Sequence, residues 1–527
     1  MWIRRATPGA HFVYGLVAGV VFLPDVRVRQ HLVMGTAFQL PRRDGLTAER
    51  SHTTVPLITR LDSAPGMPDM FSRFLGASYP VFLDSALVPP GAGRFSYLTA
   101  DPFAVITSKG RQVRIDSDDG VEEVVSDPFD VLQELLRKHA VPPLEGLPPF
   151  QGGAVGYLAY ELAHHLESLP RRAVNDLCLP EMAMGLYDWV IARDHATGET
   201  WAVSTGLPER DEVKARSRLR WIEETLSKEP PTQDRAATES GQQHLLSGFT
   251  RDDYLKAVEA IKHYIASGDV YQVNISQRLE AHYPGDPWAL YLRLRHFNPA
   301  PFAAYLQYPD ATVLSASPEM FLNAAGGHVQ TRPMKGTRPR GEDGAEDLRL
   351  RAELQVSEKD RAENVMIVDV LRNDLGRVCI PGSIEVPDLF TVEIYPTVFQ
   401  MVSTVRGRLL PDIDAVDLLK ACFPGGSVTG APKIRAMEII DEMEPTQRSV
   451  YCGAIGYLGF GGAMLTSVPI RIVLVKGQKA YVQVGGGVVA DSDPEAEYEE
   501  SLHKARGSLQ ALAMADRRLN APVSMPL

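Results

Sequence analysis

Regular patterning of apolar and polar positions begins near Pro56. "VPLITRLD", "YPVFLDSA" and "GRFSYLTADPFAVITSKGRQVRI" are short alternating or apolar runs broken by Gly, Pro and Asp, the pattern of antiparallel strands. "DPFDVLQELLRKHA" changes to an apolar spacing of three and four, which predicts a helix. "FQGGAVGYLAYELAHHLESLP" predicts a glycine-rich strand or bulge leading into a helix, and strands return in "MAMGLYDWVIARDHATGETWAVS" around a turn at His195 to Gly198. After a charged helix at about 209–227, the segment "SKEPPTQDRAATESGQQHLLSG" is poor in apolar residues and reads as a linker or exposed loop. "FTRDDYLKAVEAIKHYIASGDVYQVNISQRLEA" then predicts an N-capped amphipathic helix running into a strand. Strands and helices alternate irregularly from there on, without the beat of a parallel α/β fold. The expectation is an α+β architecture of large antiparallel sheets covered by helices.

The first thirty residues, "MWIRRATPGAHFVYGLVAGVVFLPDVRVRQ", outline a signal peptide, with a basic start and an apolar run from Phe12 to Leu23. That run is too short to span a bilayer, and no clear small-x-small cleavage site follows it. Residues 1–55 are therefore expected to be a loose extension. The remaining segments read as an N-terminal part at 56–206, the charged helix and polar linker at 207–247, a catalytic region at 248–515 and a loose tail at 516–527. Charge and cysteine content narrow the function classes. A formal net charge of -12 argues against nucleic acid as a partner, and no polybasic patch marks a membrane surface. Cys178, Cys379, Cys422 and Cys452 lie far apart with no CxxC pair, which suits the reducing cytoplasm and offers no thiolate metal site.

Five stretches invite chemistry. "TRPMKGTRPRG" sets Lys335 among Arg332, Arg338 and Arg340. A solvated lysine keeps a pKa near 10.4 and is only about 0.04% neutral at pH 7, so a nucleophilic role needs crowding by like charge, or burial. An anion-binding loop or a simple turn remains open on the residues alone. "PGGSVTGAPK" and "CGAIGYLGFGG" are glycine-rich, but Ala431 stands where a P-loop needs lysine and the second stretch has strands on both sides; tight turns explain both. "DRAENVMIVDVLRNDLG" has helical period and puts Asp360 and Glu363 on one face, and "DSDPEAEYEESLHKAR" does the same for Glu497 and Glu500. Each pair alone is an ordinary solvated face. Converging, they would suit Mg²⁺, which takes one or two carboxylates and fills its remaining positions with water or substrate oxygens.

Taken in order, "SASPEMFL", "TRPMKGTRPRG", "AENVMIVDVLRNDLGR", "PGGSVTGAPK", "YCGAIGYLGF" and "VQVGGGVVADSDPEAEYEES" closely resemble the chorismate-utilising enzymes, and "LDSA", "GRFSYL" and "GGAVGYLAYEL" extend the resemblance over about Pro56 to Leu512. The resemblance implies two large packed antiparallel β-sheets with helices on the outside and a Mg²⁺ site in a cleft. It assigns Glu363 and Glu500 to the metal, with Asp360 and Glu497 beside them, and makes Glu319 the general acid that helps the C4 hydroxyl of chorismate leave. Gly336, Thr337, Tyr451, Arg471, Gly485, Gly486 and Gly487 match substrate contacts. Gln272 stands where isochorismate and salicylate synthases carry a water-activating lysine, which disfavours water as the nucleophile.

Within that family, anthranilate synthases read "PIAGT" and aminodeoxychorismate synthases "PIKGT"; this chain reads "PMKGT". The resemblance thus implies that Lys335 attacks C2 of chorismate and that ammonia then displaces it by attack at C4. No cysteine has glutaminase-like surroundings, so ammonia is expected from solution or from a separate glutamine amidotransferase subunit. Ser85, Arg94, Phe95, Ser96, Tyr97, Pro301 and Phe302 match the pocket where relatives hold tryptophan; an ordinary hairpin accounts for them equally well. One departure is Gln400, where relatives commonly have histidine, and glutamine cannot shuttle a proton near pH 7. The rival readings are anthranilate synthesis and a non-catalytic homologue that binds chorismate or a partner.

Overall fold

A computed structural model describes residues 56–62, 64–89, 91–229, 245–395 and 398–513. The expected loose ends at 1–55 and 516–527 lie outside them, as does the 230–244 part of the 207–247 helix and linker. Two 12-stranded sheets form the frame, and every pairing between neighbouring strands is antiparallel. This is the α+β architecture expected from the patterning, with the two sheets that the family resemblance implied.

Both sheets draw on both halves of the chain. In the first, strand Val81–Asp84 pairs with Phe302–Gln307, Asp84 facing Ala303. In the second, Gly153–Leu158 pairs with Ala454–Gly459, Leu158 facing Ala454. The composition shift at 207–247 is therefore crossed by two strand seams, and the segments on either side of it share one framework.

Burial of the inner faces gives the main core. Tyr97, Phe150 and Tyr457 meet there, with the Phe150 and Tyr457 rings stacked 4.5 Å apart. A second core lies under the helices outside the first sheet, where Phe71, Phe82, Trp288, Tyr291 and Tyr305 interlock. Each large aromatic contributes through area removed from water and through edge-to-face packing.

Local expectations failed in one place. The helix expected after "GGAVGYLAY" is a single 3₁₀ turn, Tyr160–His165. The Glu161 carboxyl turns inward to accept from the backbone N–H groups of Arg448 at 2.8 Å and Ser449 at 3.2 Å. Pro170 then blocks a longer helix.

Three elements position the site. Strand Met334–Pro339 is the edge of the second sheet and pairs with Val398–Arg408, Met334 facing Val402 and Thr337 facing Gln400. Three steps on one strand thus oppose two on the other, a bulge that re-aims the side chains between them. Gly336, inside the bulge, has φ +82°, and a Cβ there would lie 2.9 Å from the Asp360 carboxyl. Helix Glu358–Gly376 begins at Ser357, whose hydroxyl accepts from the Asp360 N–H. Helix Pro494–Ala513 packs against strand Lys479–Val488 of the first sheet.

Candidate active site

The bulge delivers Lys335 to a cluster of charges from separate elements. Burial lowers its pKa, and the neighbouring Lys504 ammonium lowers it further; Glu363, Glu319 and Glu500 oppose that shift. The three arginines of the loop do not crowd it. Arg332 pairs with Glu393, Arg338 with Glu353 at 2.8 Å and Asp360 at 3.0 Å, and Arg340 with Asp347 at 2.7 Å. Their charges are neutralised locally, so desolvation and Lys504 replace the arginine crowding suggested by sequence.

Glu319 sits in the corner between strands Thr312–Ser317 and Met320–Ala325, 4% exposed. Burial pushes its carboxyl up to about 7, against the pull of the Ser427 hydroxyl, Lys335, the Met334 backbone and Arg471. A carboxyl with that pKa can carry a proton near neutrality and surrender it to a leaving group. Arg471 adopts φ +54°. Burial holds its guanidinium below the usual arginine range, with Tyr395 and Glu319 as the opposing charges. Tyr451 is buried, its N–H bonded to the Arg448 carbonyl at 3.1 Å.

The glycine run is a close-approach surface. Gly485 and Gly487 face Ser276 and Asn274 across the strand pair. A Cβ on Gly487 would stand 2.4 Å from Gln272 Nε2, and one on Gly486 would stand 3.2 Å from Glu497 Oε2 and 3.9 Å from Glu500 Oε1. The Gln272 side chain is fully buried with neither its Nε2 nor its Oε1 bonded within the protein. Two buried polar atoms there keep hydrogen-bonding capacity that the protein itself does not fill.

Carboxylates of the two helices lie within range of one another's charge. Burial raises Glu363, Lys335 and Lys359 oppose that shift, and the charges of Asp360 and Glu500 add to it. Burial also raises Glu497, which accepts from Ser492 Oγ at 2.6 Å. Glu500 is lowered, first by Lys504, whose ammonium lies 2.8 Å away. Among the described residues no three His, Cys, Asp or Glu side chains stand close enough together to hold a metal ion alone. The donor set is all carboxylate and two-sided, which fits a hard cation that keeps water and substrate oxygens, and would not suit zinc.

The residues matched to a tryptophan pocket are only partly gathered. Ser85 N accepts no role in solvent: it donates to Ser96 Oγ at 2.9 Å, and Ser85 Oγ donates to the Phe95 and Pro301 carbonyls at 2.6 and 3.3 Å. Arg94 is clamped by Asp194 at 3.0 and 2.7 Å. Strand alternation turns Phe95 and Tyr97 one way and Ser96, bonded to His195 at 2.7 Å, the other. Phe302 starts the strand that faces Ser317.

Sequence reasoning missed Ser427, Lys504, Lys359 and Asn274. Ser427 lies in "PGGSVTGAPK", whose glycines read as a tight turn, and Lys504 sits four residues beyond Glu500 as an ordinary helix pair. Spacing alone carries no sign of either role.

An edge-strand lysine, a buried carboxyl of raised pKa, a glycine surface and the acidic faces of two helices make up the candidate site. Residues 91–510 match the chorismate binding enzyme family, and the chain belongs to it. It is 44% identical to aminodeoxychorismate synthase component 1 of Salmonella typhimurium over 80% of this chain and 90% of that one. It is 39% identical to anthranilate synthase component 1 of Streptomyces coelicolor over 94% of this chain and 95% of that protein. Among solved structures, anthranilate synthase component I from Streptococcus pneumoniae superposes with a TM-score of 0.71 at 32% identity, covering 80% of this chain and 93% of that one.

Proposed function

We propose that the protein is the chorismate-aminating component of an aminodeoxychorismate synthase, converting chorismate and ammonia to 4-amino-4-deoxychorismate. The observation that carries this reading is the Lys335 amine, depressed by burial and directed by the bulge among Glu319, Glu363 and Glu500. In an anthranilate synthase the same position is alanine, so identity to both kinds of relative leaves Lys335 as the discriminating residue.

In this mechanism the neutral Lys335 amine attacks C2 of chorismate, the ring double bond shifts, and the C4–O bond breaks. Glu319 gives its proton to the departing oxygen, which leaves as water, and the new secondary ammonium loses a proton. Ammonia then attacks C4, the double bond returns, and the C2–N bond breaks with Lys335 taking a proton back. Splitting one displacement into two allylic steps is the gain of covalent catalysis. Arg471 and the backbone around Gly485 to Gly487 are suited to hold the substrate carboxylates. Gln272 has amide atoms free to orient the ring or ammonia and no basicity with which to activate water. Glu363 and Glu500 would hold Mg²⁺, with Asp360 and Glu497 beside them, and the ion would neutralise a substrate carboxylate. A separate glutamine amidotransferase subunit would supply ammonia. Among the described residues no helix is long and apolar enough to cross a membrane, and Cys178, Cys379, Cys422 and Cys452 are unbridged.

Purified protein incubated with chorismate, Mg²⁺ and an ammonium salt should form 4-amino-4-deoxychorismate without releasing pyruvate, and a chelator should stop it. Anthranilate with stoichiometric pyruvate would favour the rival synthase, and no product would favour the non-catalytic reading.

A further inference from the structure

Behind the glycine surface lies a buried ion pair that the proposed mechanism does not use. Arg448 and Glu444 are 3% and 4% exposed, and two guanidinium nitrogens meet the carboxylate at 2.9 and 2.6 Å. Such a pair is costly to desolvate and contributes little net stability unless its remaining hydrogen bonds are also filled. Here they are filled by parts of the site. Arg448 Nη1 donates to the Val428 carbonyl at 2.8 Å, and Nη2 to the Asn274 carbonyl at 3.0 Å. Asn274 in turn donates from Nδ2 to the Ser427 carbonyl at 3.1 Å and from its backbone N–H to the Thr429 carbonyl at 2.8 Å. Glu444 accepts from both the backbone N–H and the hydroxyl of Ser276, at 2.8 and 2.9 Å.

One guanidinium thus ties three pieces together. It fixes the 427–429 loop, which carries Ser427, a neighbour that draws the buried Glu319 carboxyl downward. It fixes strand Gln272–His282, on which Asn274 and Ser276 face Gly487 and Gly485. Its own turn is pinned by Glu161, and that turn leads directly into Tyr451. The Tyr160 ring lies 4.8 Å beneath its cation. No stability argument explains why a charged pair should join these particular segments; shared geometry does.

We propose that Arg448, oriented by Glu444, is a positioning residue for chorismate amination: it sets Ser427 against Glu319 and holds the glycine surface in register. The inference rests on the functional reading above, in which Glu319 is the proton donor. A lysine at 448 keeps the charge and cannot reach four acceptors at once. Misplacing the acid matters only where the C4–O bond breaks, so it should lower kcat rather than raise KM.

The test uses the full chain with chorismate, Mg²⁺ and an ammonium salt, comparing Arg448→Lys, Ser427→Ala and the double variant. Arg448→Lys should lower kcat by up to about 100-fold, a loss typical of a misplaced catalytic group. Its KM for chorismate should stay within about threefold of the wild-type value. Loss of the downward pull of Ser427 on Glu319 should also move the alkaline limb of the pH–rate profile upward, alike in both single variants. The double variant should lose less than the two single losses combined. A purely structural Arg448 would lower the melting temperature while leaving kcat per folded molecule and the limb unchanged, which overturns the proposal. Should Arg448→Lys not fold, Glu444→Gln carries the same comparison with the guanidinium still present. A wild-type protein that does not aminate chorismate overturns both this inference and the reading beneath it; an active wild type with unaffected variants overturns this one alone.

Discussion

Two buried polar regions of this protein are built on opposite terms. Around Ser85, most polar atoms are answered from within: Ser85 by Ser96, Phe95 and Pro301, Arg94 by Asp194, and Asp84 by Tyr291 at 3.0 Å and Arg295 at 2.6 Å, with Asp84 Oδ1, Tyr97 Oη and Trp288 Nε1 left over. Around Lys335 the accounts stay open. Gln272 has two unbonded atoms, Gln400 and Asn364 one each, and Glu319 and Lys335 have pKa values pushed toward neutrality. Satisfied polarity holds a fold together, while unsatisfied and pKa-shifted polarity marks where chemistry is done. The contrast also bears on the tryptophan-pocket reading, since the first region offers an incoming ligand few unpaired groups.

The largest break in that contrast should come from Lys335→Ala. Removing the nucleophile should cost on the order of 10³-fold or more in kcat, as for other covalent catalysts. Mass spectrometry of the quenched enzyme should then find no chorismate-derived adduct, whereas Ser85→Ala should keep both adduct and turnover. An adduct persisting in Lys335→Ala would refute the nucleophile.

Glu319→Gln should follow, losing roughly 10²- to 10⁴-fold, the usual range for a general acid. Because the Glu319 carboxyl is raised to about 7, its protonated form is present below that pH and disappears as pH rises through it. The wild-type rate should therefore fall on the alkaline side, and the glutamine variant should lose that limb. The same shift is a stability statement. A raised carboxyl pKa contributes stability that is present below the unfolded value of 4.5 and is lost as pH rises through about 7. Melting temperatures should accordingly favour Glu319→Gln over wild type more at pH 8 than at pH 5.

In the satisfied region the expected effects are on folding. Arg295→Met leaves Asp84 buried without its cation, and burial already raises the Asp84 carboxyl against the pull of Arg295. Breaking a buried pair this way costs about 3 kcal/mol. Urea unfolding should register that loss, with kcat per folded molecule unchanged. A fall in kcat without loss of stability would erase the distinction between the two regions.

Much of this was legible in the chain. Alternation and glycine punctuation gave the antiparallel sheets, and the motif order carried the family. What sequence could not supply was pairing across distance. That Arg332 and Arg338 each have a carboxylate partner, that Glu161 turns inward instead of extending a helix, and that Ser427 lies near Glu319 all depend on segments separated by more than a dozen residues, while Arg340 pairs with Asp347 only seven residues on. The arginine cluster looked like the source of the lysine's reactivity because local spacing shows neighbours and hides their partners. Convergence of the Glu363 and Glu500 helices was likewise beyond what spacing can decide.

Gln400 is where the smallest effect should sharpen the contrast most. It is buried beside the bulge, its Nε2 donates to Thr337 Oγ1 at 3.3 Å, and its Oε1 has no partner. An orphan acceptor with no further task is a liability, so a volume-matched apolar replacement should be neutral or stabilising. If substrate or ammonia completes that hydrogen bond instead, Gln400→Met should leave the melting temperature equal or higher while kcat/KM falls about tenfold, the worth of one hydrogen bond at 1.4 kcal/mol. Gln400→His should add a group titrating near pH 6.5 to the rate profile, which the wild-type amide cannot do. A methionine variant with full activity would assign Oε1 to the fold's residual imperfection and would leave Gln272 as the unsatisfied amide that faces the chemistry.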